Sequence, residues 1–167
     1  MLVFTQFERV DRGTRADLAD RPPAPNFQLS LTAEDRAKVR RSVILDDGSE
    51  AWLQLARGTA LRPGDRLQTA TGEICEILAK PEPVLTVRSP DRLALLQAAY
   101  HLGNRHAPLE IAIDYLRLEP DPTLKALLDR RGLQVIAEIA PFVPESGAYA
   151  DDRSDAHSHS HSHTHSH

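Results

Sequence analysis

Six histidines fill alternate positions at the end of the chain: His157, His159, His161, His163, His165 and His167. Two others, His101 and His106, stand earlier in the 167 residues. A neutral imidazole offers an sp² nitrogen lone pair that suits Ni(II), Cu(II) and Zn(II). Alternating with serine and threonine, the six predict a disordered tail over residues 148–167 that binds several ions loosely and with little discrimination. Copper outcompetes nickel at such ligands by intrinsic affinity, so the metal's identity must come from supply and partners. A purification tag would be an uninterrupted histidine run, and a merely solvating tail would favour Glu, Lys and Ser. The pattern reads as natural metal-binding low complexity.

The earlier pair lies in Tyr100-His101-Leu102-Gly103-Asn104-Arg105-His106-Ala107-Pro108. His101 falls in the last turn of a predicted helix, where an imidazolium interacts well with the helix dipole, so it reads as a capping or packing residue. His106 follows on a loop entering a strand and is the candidate metal ligand. One imidazole alone makes a poor site, but a two-fold dimer presents a residue near its axis twice. The single cysteine, Cys75, allows neither an internal disulfide nor a thiolate cluster, so nitrogen and oxygen must meet the metal. An enzyme reading would join His101 and His106 to a carboxylate such as Glu110 or Asp114. Catalytic metal sites usually fix three protein ligands with an oriented surround, and no such cluster is visible.

The elements that must position these residues divide in two. Residues 2–7 and 27–31 read as strands, with a proline-bearing surface loop over residues 11–25 between them. Thr32 is expected to cap a short helix, with Asp35 in the place of a capping-box acid. Residues 43–45 and 51–55 flank Asp46-Asp47-Gly48 as a hairpin, and strands at 66–69 and 73–78 flank Thr71-Gly72. Residues 1–80 thus predict a small β-rich domain, bounded by the stiff run Lys80-Pro81-Glu82-Pro83.

Beyond it, residues 84–87 read as a strand, and Ser89-Pro90 as an N-cap with proline at the first helical position. Leu93, Leu96, Ala99 and Tyr100 recur at helical spacing, and Gly103 is expected to end the helix in a left-handed conformation. Strands at 109–113 and 115–118, a helix opened by Asp121-Pro122 and a strand at 133–139 complete the order βαββαβ. The fold class is α+β, with a ferredoxin-like arrangement over residues 81–147. A unit of roughly 65 residues buries limited surface and often gains stability by oligomerising, so a homodimer is expected.

Composition narrows the function classes. The net charge of −4, with no Lys/Arg cluster interleaved with aromatics, argues against nucleic acid. The N-terminus lacks the features of a signal peptide, and no run approaches the roughly 18 apolar residues of a membrane span. A cytoplasmic protein is the default expectation.

Several blocks together resemble the urease accessory metallochaperone family UreE. They are Leu31-Thr32-Ala33-Glu34-Asp35-Arg36, Leu45-Asp46-Asp47-Gly48, Leu61-Arg62-Pro63-Gly64-Asp65, Pro81-Glu82-Pro83-Val84-Leu85, the Gly103-Asn104-Arg105-His106 block and Phe142-Val143-Pro144-Glu145-Ser146-Gly147-Ala148-Tyr149. The resemblance implies a homodimer with a peptide-binding-like first domain and a ferredoxin-like metal-binding second domain. It also implies that His106 binds nickel with its symmetry mate, helped by tail histidines. Nickel would then pass toward apo-urease through the urease GTPase accessory protein. Some family members carry further histidines about 14 and 16 residues after the interface one. Pro120 and Pro122 stand there instead, which puts an auxiliary site in doubt, and Asp121 between them reads as a helix cap.

Overall fold

The computed structural model describes residues 1–9 and 23–146. Ten strands and three helices run in the order β1 (Leu2–Glu8), β2 (Phe27–Leu31), α1 (Ala33–Arg36), β3 (Arg40–Ile44), β4 (Glu50–Gln54), β5 (Arg66–Thr69), β6 (Ile74–Ala79), β7 (Pro81–Arg88), α2 (Arg92–Gly103), β8 (Leu109–Ile111), β9 (Leu116–Leu118), α3 (Pro122–Arg130) and β10 (Gln134–Pro141). The protein is α+β.

Strands β1 to β6 form one mixed sheet in the order β2-β6-β5-β1-β4-β3. Period-two alternation dictates its interior: Leu29 and Leu31 from β2, Val43 from β3, Ala51 and Leu53 from β4, and Cys75 and Ile77 from β6 pack around Phe4. The β3–β4 hairpin turns at Gly48, whose φ of 87° needs a residue without a Cβ. Thr32 Oγ1 accepts from the Asp35 N–H at 3.2 Å, as a cap should. The Asp35 carboxylate pairs with Arg41 at 3.0 Å, a role the capping-box reading did not give it.

Strands β7 to β10 form a second, antiparallel sheet in the order β10-β7-β9-β8, with α2 and α3 on one face. Leu85 and Val87 of β7, Leu109 of β8 and Leu116 and Leu118 of β9 meet Leu95, Ala98 and Leu102 of α2 and Leu128 of α3. The stiff boundary expected over residues 80–83 is instead mostly strand: β7 begins at Pro81, and Lys80 alone separates the sheets, its N–H bonded to the Leu31 carbonyl. Pro81 and Pro83 are tolerated because the first half of β7 has a ladder partner on one side only, β10, leaving room for residues without an N–H.

Three further expectations change. Asp91, not Ser89, caps α2 by accepting from the Leu93 N–H at 2.9 Å; Ser89 Oγ accepts from the Asp91 N–H, two residues earlier. The strands around Asp114 are shorter than residues 109–113 and 115–118, because Ala112 bonds to Tyr115 and closes the turn early. Gly103 is still helical, and the left-handed residue is His106. Residues 11–22 of the loop expected over residues 11–25, and the tail expected over residues 148–167, lie outside the described residues.

Candidate metal centre

The end of α2 builds the setting of His106. The Ala107 N–H reaches back to the Leu102 carbonyl at 3.3 Å, and the His106 N–H to the Gly103 carbonyl at 2.9 Å. This pair of bonds is a Schellman arrangement, which requires a left-handed residue at its turn. Glycine normally supplies it, but here it is His106, at φ 54°; among the described residues no other non-glycine has positive φ. The conformation costs an L-residue about 1–2 kcal/mol. Arg105 reinforces the turn by donating to the His101 carbonyl at 2.9 Å. The His106 side chain is exposed.

His101 sits half-buried in the last turn of α2, its ring edge-on to Tyr100 at 5.5 Å. That is the helix-end placement expected of it. Glu110 and Asp114, the carboxylates of the enzyme reading, are engaged elsewhere. Glu110 accepts from the Tyr115 hydroxyl at 2.6 Å and from the Val143 N–H at 2.7 Å, and Asp114 pairs with Arg88 at 2.7 Å. Among the described residues, no group of three or more His, Cys, Asp or Glu is arranged to hold a metal ion. Burial pushes the Cys75 thiol up to about 12, so it stays protonated in the core of the first sheet and offers no thiolate. Asp121 caps α3 through the Leu124 N–H at 2.8 Å, with Pro122 in the first turn. The six tail histidines, His157, His159, His161, His163, His165 and His167, lie outside the described residues.

Helix α2 carries apolar residues on two opposite faces. At 100° per residue, Leu95, Ala98 and Leu102 cluster on one side and Leu93, Leu96 and Tyr100 on the other. The first set is buried against the sheet. The second is 60%, 68% and 68% exposed. Periodicity could not choose between two stripes of equal quality; the sheet takes the one whose Ala98 allows close approach. The outward stripe ends one turn before the His106 turn.

Residues 11–80 match the family described as UreE urease accessory protein, N-terminal domain, and residues 82–167 match its C-terminal domain. The chain belongs to the UreE family. Proteins named urease accessory protein UreE resemble it closely. One from a Nostoc species is 51% identical over 127 residues, covering 75% of this chain and 86% of the relative. One from Microcystis aeruginosa is 48% identical over 151 residues, covering 89% and 92%. One from Cupriavidus pinatubonensis is 44% identical over 157 residues, covering 94% and 69%. UreE is a family of accessory proteins and not of enzymes.

Sequence reasoning missed a buried group that joins the two sheets. Arg36, 4% exposed, donates to the Leu31 carbonyl at 3.0 Å and to the Phe142 carbonyl at 2.6 Å. Burial lowers its pKa, opposed by the charges of Glu82 and Glu110. A lone arginine in a polar run carries no sequence signal of burial, because its partners are main-chain carbonyls.

Proposed function

We propose that this UreE-family chain is a nickel-binding metallochaperone that supplies Ni(II) for assembly of the urease active site. The observation that carries the reading is an exposed histidine, held in a left-handed turn, at the end of a helix whose second apolar stripe is uncovered. A second copy laid against Leu93, Leu96 and Tyr100 makes a homodimer and brings the two His106 turns toward one axis. The four-stranded unit is then a ferredoxin-like metal-binding and dimerisation domain over residues 81–147. The six-stranded unit over residues 1–80 is a peptide-binding-like domain. Two imidazoles leave coordination positions open, and His157, His159, His161, His163, His165 and His167 fill them and then leave, as a cargo site requires. Cu(II) and Zn(II) also bind in vitro. The working place is the cytoplasm, and the recipients are the urease GTPase accessory protein and apo-urease. Among the described residues, no helix is long and apolar enough to cross a membrane.

Nickel titration combined with sedimentation tests this reading. A dimer with one tight ion per pair of chains is expected, and His106→Ala should abolish the tight ion while leaving weak ones. Unchanged tight binding in His106→Ala overturns it. A storage protein would instead load many ions and transfer none to apo-urease in a handover assay.

A further inference from the structure

Strands β2 and β3 are the two outer strands of the first sheet and follow one another in the chain around α1. They are joined at one end. The Asp46 N–H donates to the Gln28 carbonyl at 3.0 Å, and the Asp46 carboxylate accepts from the Ser30 N–H at 2.9 Å and the Ser30 hydroxyl at 2.8 Å. Past this clasp β2 pairs with β6 and β3 with β4, and a groove of about 240 Å³ opens between them. Leu29 and Leu31 wall one side, and Arg41, Ser42 and Val43 the other.

The main chain presents a strand edge to this groove. The Leu45 N–H bonds to the Ser49 carbonyl and the Leu55 N–H to the Val39 carbonyl, so Val39, Arg41 and Val43 turn their peptide groups toward β4. Alternation then turns those of Ser42 and Ile44 into the groove, at the spacing an extended chain matches. From Arg41 to Asp46 the edge runs about 17 Å, the length of roughly six residues.

Arg41 gives the groove its sign. Its side chain lies on the same face as the buried Val43, and its guanidinium is held by Asp35 at 3.0 Å, yet its Nε is buried with no hydrogen-bond partner among the described residues. A buried donor of this kind calls for an acceptor. At that end Glu34 and Asp35 stand against Lys38, Arg40 and Arg41, which leaves it positive. On the outer face Ile44 and Trp52 are 59% and 38% exposed and offer apolar contact.

We propose that the groove between β2 and β3 takes one extended segment of a partner protein, laid antiparallel to β3 as an added strand. An acidic side chain of that segment meets Arg41, and an aliphatic one lies beside Val43. The inference rests on the peptide-binding-like reading of the first unit and gives it a place and a chemistry. Neither His106 nor a metal enters it.

The probe is a fluorescein-labelled hexapeptide of alternating valine and threonine in which one valine is replaced by glutamate, titrated with the metal-free full-length chain and read by anisotropy. A glutamine counterpart and a copy N-methylated at the threonine amides complete the set. Opposite Ser42 and Ile44 the threonine amides form the ladder, and the valine face turns inward. Ser42→Pro deletes an N–H that faces the groove and takes no part in the β3–β4 ladder, and Arg41→Gln removes the charge. The altered peptides put the same two questions to the wild-type chain, should either variant fail to fold. The glutamate peptide should bind wild type about tenfold tighter than its glutamine counterpart, and Arg41→Gln should erase the difference. N-methylation and Ser42→Pro should each weaken binding about tenfold. Equal binding of the glutamate and glutamine peptides to wild type overturns the proposal. So does binding indifferent to N-methylation and to Ser42→Pro, which leaves the peptide-binding-like reading standing with its site elsewhere. Failure of every peptide to bind removes both.

Discussion

His106 and Gly132 hold the same place at the ends of α2 and α3. Each is the left-handed residue of a Schellman turn, with φ of 54° and 74°. After α3 the Gly132 N–H bonds to the Asp129 carbonyl at 3.0 Å and the Leu133 N–H to the Leu128 carbonyl at 3.2 Å, mirroring the bonds of His106 and Ala107. The chain thus uses the low-cost residue at one helix end and a strained one at the other. The strain sits on the histidine proposed to bind metal.

His106→Gly should therefore stabilise the metal-free protein while removing tight nickel binding. Relief of about 1 kcal/mol corresponds to a rise of roughly 2–4 °C in Tm for a chain of this size. His106→Ala should lose the metal without that gain, since alanine is strained at the same φ. Calorimetric melting of both variants decides the matter, and a glycine variant that melts lower than wild type counts against the strain.

Much of this was legible in the sequence. Strand positions in the first unit follow from alternation, and the Asp121 cap and the hairpin at Gly48 follow from residues with one strong local preference. The failures share a cause. Gly103 looked like a helix terminator because glycine permits a left-handed turn, but three more residues join the helix end, and Schellman geometry, not composition, selects His106. The helical spacing of Leu93, Leu96 and Tyr100 placed the helix but not its core face, because spacing alone cannot tell which of two apolar stripes a sheet will cover. The structural bonds of Glu110 and Arg36 were silent because their partners, Val143 and Phe142, lie more than thirty and one hundred residues away.

Leu96→Asp should convert a dimer into a folded monomer. Leu96 is 68% exposed in the single chain, so a carboxylate there costs the isolated fold little. Burial of the same carboxylate against a second copy would cost several kcal/mol. Analytical ultracentrifugation at micromolar concentration reads the outcome, with circular dichroism as the check on folding. A persistent dimer would assign the interface to another face.

Arg36→Met should destabilise the protein by about 2–4 kcal/mol, because the Leu31 and Phe142 carbonyls lose a buried donor. Arg36→Lys should rescue little, since one ammonium lacks the fork that reaches both carbonyls. Urea midpoints for the two variants measure the difference, and full rescue by lysine would show that charge alone matters.

Glu138 gives a pH dependence with a definite sign. Its hydrogen bond from the Thr86 hydroxyl, and then the nearby Arg117, hold its carboxyl below the usual range. A depressed folded-state pKa adds stability above the unfolded value, lost as pH falls below about 4 through the folded value. The gap in urea midpoint between wild type and Glu138→Gln should therefore be wider at pH 6 than at pH 3. An equal gap at both would remove the carboxylate from the acid response.

Cys75 should resist alkylation at pH 8 until the chain unfolds, as a wholly buried thiol pushed up to about 12 requires. Iodoacetamide labelling followed by mass across a urea series tests this, and rapid labelling without denaturant contradicts it.

The single residue between β6 and β7 bears on the thermodynamics of holding two sheets in one arrangement. Ordering one backbone costs about 1–2 kcal/mol, whereas a five-residue linker would cost roughly 5–10. With Lys80 already bonded to Leu31, most of the entropy that a hinged pair would surrender on docking is never present. Any molecule that grips the first sheet therefore meets the second at a bearing fixed when the chain folded, and none of its binding energy is spent on setting that angle.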